Sequence, residues 1–102
     1  MANTFKNYTS SGVGTGAITV YTVPSATSSV VIGCSLANVT ASQVTVDVQT
    51  AGVYLVKGVP VPAHSALSIV DGKIVLEAAD TLIITSNTAS SVDAIVSVLE
   101  QT

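Results

Sequence analysis

The segment QVTVDVQ, residues 43 to 49, sets apolar and polar side chains in strict alternation. Val44, Val46 and Val48 fall on one side, and Thr45, Asp47 and Gln49 on the other. A period of two matches a pleated strand with one face buried, whereas at 3.6 residues per turn Val46 would point away from Val44 and Val48. The same form recurs along the chain as short runs rich in Val, Ile and Thr, each followed by Gly, Pro, Asn, Asp or Ser. AITVYTV (17–23) ends at Pro24, and SVVIGCSLANV (29–39) follows the turn-rich SATS. TASQ leads into QVTVDVQ, and TAG (50–52) predicts a hairpin into VYLVKGV (53–59). ALSIV (66–70), KIVLEA (73–78), TLIITS (81–86) and VDAIVSVLE (92–100) complete the set, with Asp71-Gly72 a hairpin signal between the first two.

About eight short strands without a crossover helix predict an all-β fold: an antiparallel β-sandwich, jelly-roll or Ig-like. The order of strands within the sheets is left open. Residues 1–102 are expected to form a single β-sandwich domain, with 1–16 a polar N-terminal segment leading into the first strand. Pro60 and Pro62 lack amide donors, so PVPAHSA is expected at an edge or a corner.

At 102 residues and 10.2 kDa the chain is large enough to bury a core without disulfides. Its single cysteine, Cys34, has no internal partner, and the opening MANTFKNYTSS lacks a basic head followed by an apolar signal core. Synthesis in a reducing cytosol is therefore expected. No apolar run approaches the roughly 20 residues that span a bilayer as a helix, so no membrane partner is expected. Three scattered lysines, Lys6, Lys57 and Lys73, and a net charge of -3 argue against direct contact with nucleic acid, which calls for clustered basic residues. Charged residues make up 9% of the chain against roughly 25–35% of an isolated soluble surface. Ser and Thr must cover much of the exterior, and such a surface has little charge to desolvate when it meets a partner.

The residues that carry chemistry are few. Glu77 and Asp80 lie three apart in KIVLEAADTLIITS, where one strand ends and the next begins. Asp80 accepting backbone amides would stabilise that reversal, whereas calcium requires six to eight oxygens and Asp71 is the nearest further acid in sequence. His64 beside Ser65 lacks a nucleophile-elbow motif and is read as an exposed loop residue. One histidine and one cysteine cannot complete a zinc site. Cys34 alternates with Val30, Ile32 and Leu36, which reads as a small buried apolar residue. GVGTG (12–16) lacks the lysine and the strand–loop–helix setting of a phosphate loop, and is read as a flexible entry to the first strand. Asn7-Tyr8-Thr9 and Asn38-Val39-Thr40 match glycosylation sequons that carry no weight without a secretory signal. Tyr8, Tyr21 and Tyr54 are candidates for a sugar-binding face. No catalytic, cofactor-binding or metal-ligating residue is assigned, and no enzyme activity is expected.

The pieces MANTFKN, TVYTVPSATSSVVIG, SLANVTASQVTVDV, YLVKGVPVPAHSALSI, KIVLEAADTL and DAIVSVLE resemble small all-β virion structural proteins of tailed bacteriophages. YTVP, a small-residue turn and a VVIG-type strand with Asn38 near its end form one part of the likeness. VLEAADTL resembles an LxAGDxL turn in which Ala79 replaces the glycine, weakening the expectation of a positive φ there. The resemblance implies a non-enzymatic, multicopy component of the virion, either a head-decoration (cement) or a tail-associated protein. Its implied partners are other virion proteins of the capsid or tail and copies of itself. The alternative is a receptor- or carbohydrate-binding module at the virion surface.

Overall fold

The alternating runs resolve into nine strands in the computed structural model, which describes residues 3–50, 52–69 and 74–102. They are β1 (Asn3–Val13), β2 (Ile18–Thr22), β3 (Ser28–Asn38), β4 (Val44–Thr50), β5 (Val53–Val61), β6 (Ala66–Ser68), β7 (Ile74–Leu76), β8 (Thr81–Ser86) and β9 (Val92–Gln101). A five-stranded sheet has the order β1-β9-β3-β6, with β7 also on β3, and a four-stranded sheet has the order β2-β8-β4-β5. All pairings are antiparallel. The result is an all-β sandwich. Among the described residues no helix is long and apolar enough to cross a membrane.

The inward positions of the two sheets make the core. Val44, Val46 and Val48 of β4 are buried, with Leu82 and Ile84 of β8 in the same sheet. From the other sheet come Val31, Cys34 and Leu36 of β3, and Val92, Ala94, Val96 and Val98 of β9. Each fully buried Val, Leu or Ile contributes about 1.5–3 kcal/mol relative to exposure, so this set is the main stabilising term. Pro60 lies on β5, an outer strand of its sheet, where a missing amide is tolerated.

Several expectations need correction. The polar segment expected to lead into the first strand is itself strand β1, paired with β9 from Asn3↔Gln101 to Ser10↔Ala94. Its sequence shows little alternation because it flanks the sheet. The ladder partner that fixes it lies some ninety residues away. Cys34 is buried as expected, but not in phase with Val30 and Ile32. A bulge between Val31 and Gly33 breaks the β3–β9 register, so Val31 and Cys34 point inward while Ile32 is 42% exposed. One inserted residue exchanges the two faces of the strand.

The Asp71-Gly72 turn lies outside the described residues, yet the strands on either side do not form a hairpin. β6 pairs with Ser35–Ala37 and β7 with Ser29–Val31, so both lie along the same edge of β3. A local turn signal does not choose the strand that completes a ladder. Within the glycine segment 12–16, read as a flexible entry, Gly12 and Gly14 are held by specific contacts. Gly12 has φ 68 and its N–H donates to Asp93 Oδ1 at 2.9 Å. A Cβ on Gly14 would meet the backbone of Ser90 and Ala89 at 3.1 and 3.2 Å.

Candidate assembly surface

The residues singled out for chemistry serve the fold. Asp80 Oδ2 accepts the Glu77 N–H at 2.9 Å, and the Asp80 N–H donates to Glu77 O at 3.0 Å. Together these bonds close the turn from β7 to β8. Ala79 sits in that turn at φ 71, so the positive φ persists although alanine replaces glycine. His64 is exposed, at φ 56, in the turn after β5, where its backbone N–H donates to Thr40 O. The Ser65 hydroxyl donates to Ala63 O at 3.4 Å, not to the histidine. Burial pushes the Cys34 thiol up to about 11, leaving little thiolate at neutral pH. Among the described residues, no three His, Cys, Asp or Glu side chains gather where they could hold a metal ion.

Asn38, the second sequon match, is buried and fully engaged. Its Nδ2 donates to Ser42 O, Val61 O and Pro62 O at 2.8–3.2 Å, and its Oδ1 accepts the Thr40 N–H and hydroxyl. One side chain therefore ties the end of β3 to the loop before β4 and to the end of β5.

The three tyrosines do not share a face. Tyr8 and Tyr21 meet with ring centroids 4.5 Å apart, and both hydroxyls donate to Glu100 Oε2, at 3.0 and 2.7 Å. Lys6 Nζ lies 3.3 Å from the other carboxylate oxygen. Glu100 is 5% exposed. The hydrogen bond from Tyr21 holds its carboxyl below the ordinary 4.5, with Tyr8 and Lys6 adding to the effect and burial opposing it. Burial, reinforced by the bond to Glu100, pushes Tyr21 up to about 12. Tyr54 lies elsewhere, opposite Gln49 on the other sheet, with Lys57 Nζ 4.5 Å above its ring. Sequence reasoning overlooked Glu100, although its phase with Val92, Ala94, Val96 and Val98 in VDAIVSVLE marked it as inward-facing.

The outer face of the five-stranded sheet has a different character. Phe5 pairs with Leu99, Leu99 with Val30, and Val30 with Val75, placing one apolar row across β1, β9, β3 and β7. Phe5 is 73% exposed and Val75 66%. Next along the strands is a small polar row of Asn7, Ser97 and Gly33, in which the Ser97 hydroxyl donates to Asn7 Oδ1 at 2.7 Å. Beyond it lie Thr9, Ile95, Ser35 and Ser68. This end holds a shallow hollow of about 490 Å³, lined in part by Thr9, Ser35, Ala37, Asp93 and Ile95. Asp93 is the only ionisable side chain directed outward from these strands among the described residues, and it is already bonded to the Gly12 N–H. Lys6 faces the opposite way, toward Glu100. The sequence signal was apolar Ile95 and Leu99 at positions of β9 where alternation calls for polar residues.

No family model matches the chain, and no characterised protein matches it in sequence. Solved structures share its fold. A chain of the acidic stable capsid structure of Helicobacter pylori bacteriophage KHP30 superposes with a TM-score of 0.61 at 11% identity, over 98% of this chain and 87% of that one. A chain of the Bacillus endospore appendages, described as disulfide-linked pili, superposes with a TM-score of 0.56 at 15% identity, over 99% of this chain and 87% of that one. At these identities the likeness establishes a common all-β sandwich.

Proposed function

We propose that this protein is a non-enzymatic structural component of a tailed-bacteriophage virion. It acts through protein–protein contacts as a multicopy head-decoration or tail-associated subunit. The observation that carries the reading is the outer face of the five-stranded sheet. That face exposes Phe5, Val75, Ile32 and Ile95 on strands with one outward ionisable group among the described residues. Exposed apolar surface of this kind marks an interaction site, and association here requires almost no desolvation of charge.

The sequence resemblance to phage virion proteins and the fold shared with a chain of a phage capsid support the same reading. So does the use of the carboxylates: Asp47, Asp80, Asp93 and Glu100 each accept a hydrogen bond within the chain. Linkage through disulfides, as in the spore appendages, is not a route for a chain whose single cysteine is buried.

Stoichiometry in purified particles, combined with a particle reconstruction, tests the proposal. The expected result is a fixed, multicopy complement at symmetry-related positions, with contacts of at least about 1,000 Å² in total. Absence from the mature particle would refute it. A small contact that leaves Tyr54 and its loop facing outward would instead favour receptor or carbohydrate binding.

A further inference from the structure

We propose that the outer face of the five-stranded sheet pairs with the same face of a second copy. A twofold axis would run across the strands along the Asn7–Ser97–Gly33 row. The inference rests on the structural role above, because it takes this exposed face to be an assembly surface, and it names the occupant.

Three observations select a second copy. First, the face has internal symmetry of position: the row Phe5–Leu99–Val30–Val75 lies on one side of the Asn7–Ser97–Gly33 row, and Thr9–Ile95–Ser35–Ser68 lies on the other. A twofold axis along the middle row reverses the direction along the strands. Phe5 of each copy then lies over the partner's Thr9, and Leu99 over the partner's Ile95. This is the self-complementary contact that twofold symmetry requires.

Second, the relief is complementary. Phe5, 73% exposed, projects at one end, and the hollow of about 490 Å³ beside Thr9, Ser35 and Ile95 lies at the other. Gly33 in the middle row has no side chain to hold the sheets apart. Third, the area suffices. β1, β9 and β3 at ~4.8 Å spacing, with about ten residues each at ~3.3 Å rise, and the six residues of β6 and β7 give roughly 570 Å² per copy, or about 1,100 Å² for the pair, above the roughly 1,000 Å² that a specific interface needs. Asp93 lies toward the rim, with its carboxylate bonded to the Gly12 N–H.

Sedimentation of the full chain across a concentration series tests the pairing, with melting curves for each variant to establish that it folds. Wild type is expected to dimerise. Phe5→Ser should weaken the dimer at least about tenfold, as for loss of an exposed aromatic anchor, while leaving the fold intact. Ser97→Arg, which places a charge on the axis, should abolish association. Tyr54→Ser, on the other sheet, should have no effect. A short bis-maleimide should join two copies of Asn7→Cys, because residues on the axis face their own counterparts and buried Cys34 does not compete.

A monomeric wild type, or equal association of wild type, Phe5→Ser and Ser97→Arg, would overturn the pairing. So would a dimer that the reagent fails to join through Asn7→Cys. In a particle reconstruction, a different virion protein covering this face overturns the pairing and leaves the virion role standing. A chain that pairs as described but is absent from particles overturns the virion role alone.

Discussion

Glu100 shows how an inward-facing carboxylate is accommodated in a chain with few charges. Tyr21, Tyr8 and Lys6 converge on it, so its ionised form is stabilised in the folded state and its pKa lies below the unfolded value. A depressed carboxyl pKa contributes stability that is fully present above the unfolded value of about 4.5 and is lost as pH falls through the folded one. The melting temperature should therefore fall on acidification below about pH 4.5, and the advantage of wild type over Glu100→Gln should shrink across the same window. A difference that stays constant with pH would show that the carboxylate is not the source. Ala79 offers the opposite case, a residue the fold tolerates at a cost. Its φ of 71 lies in the left-handed region, which disfavours a Cβ by about 1–2 kcal/mol. Ala79→Gly should stabilise the protein by about 0.5–1 kcal/mol after the greater unfolded-state freedom of glycine is counted, a rise of a few degrees in Tm. A lower Tm would contradict this.

At the scale of elements, β4 is the strand whose structure follows most directly from its sequence. Val46 is 1% exposed and opposes Val59 and Ser86 on the neighbouring strands. Val46→Asp places an unpaired carboxylate in the core and should cost at least about 4 kcal/mol, a large share of the stability of a small domain. An unchanged thermal melt would mean that the face is misassigned. The β4–β5 pairing also depends on a feature that alternation does not show. Register shifts lie on either side of Val48, the neighbouring Asp47 Oδ1 accepts the Gly58 N–H at 2.6 Å, and Gly58 adopts φ 62. A Cβ there meets nothing within 4 Å, so Gly58→Ala isolates the backbone term and should destabilise by about 1 kcal/mol. Denaturant unfolding with an unchanged m-value would measure it.

For the whole molecule, the reactive groups and the exposed apolar face are separate. His64 is exposed in a turn and Cys34 is buried beneath the sheet. His64→Ala and Cys34→Ala should both support particle assembly, with Cys34→Ala showing a modest loss of stability from packing. Intact, normally composed particles that lose infectivity with His64→Ala would give the histidine a role that the fold does not suggest. The outer face of the five-stranded sheet concentrates the exposed apolar side chains Phe5, Ile32, Val75 and Ile95. Its loss of function should therefore appear as loss of association rather than loss of folding.

Alternation in QVTVDVQ and turn chemistry at Asp80 were local properties, and they determined the all-β class, most strand positions and the inward set of β4 without reference to the rest of the chain. The same local reading failed where a distant partner decides. β1 is a strand because β9 offers it a ladder, β6 and β7 lie along β3 rather than on each other, and a bulge at Ile32 reverses the phase around Cys34. Bulges and pairings depend on which edges remain unsatisfied after collapse, and no window of adjacent residues contains that information. The exposed apolar face has the same origin. Phe5, Val30, Val75 and Leu99 are scattered through the sequence and become one row only when four strands take their register.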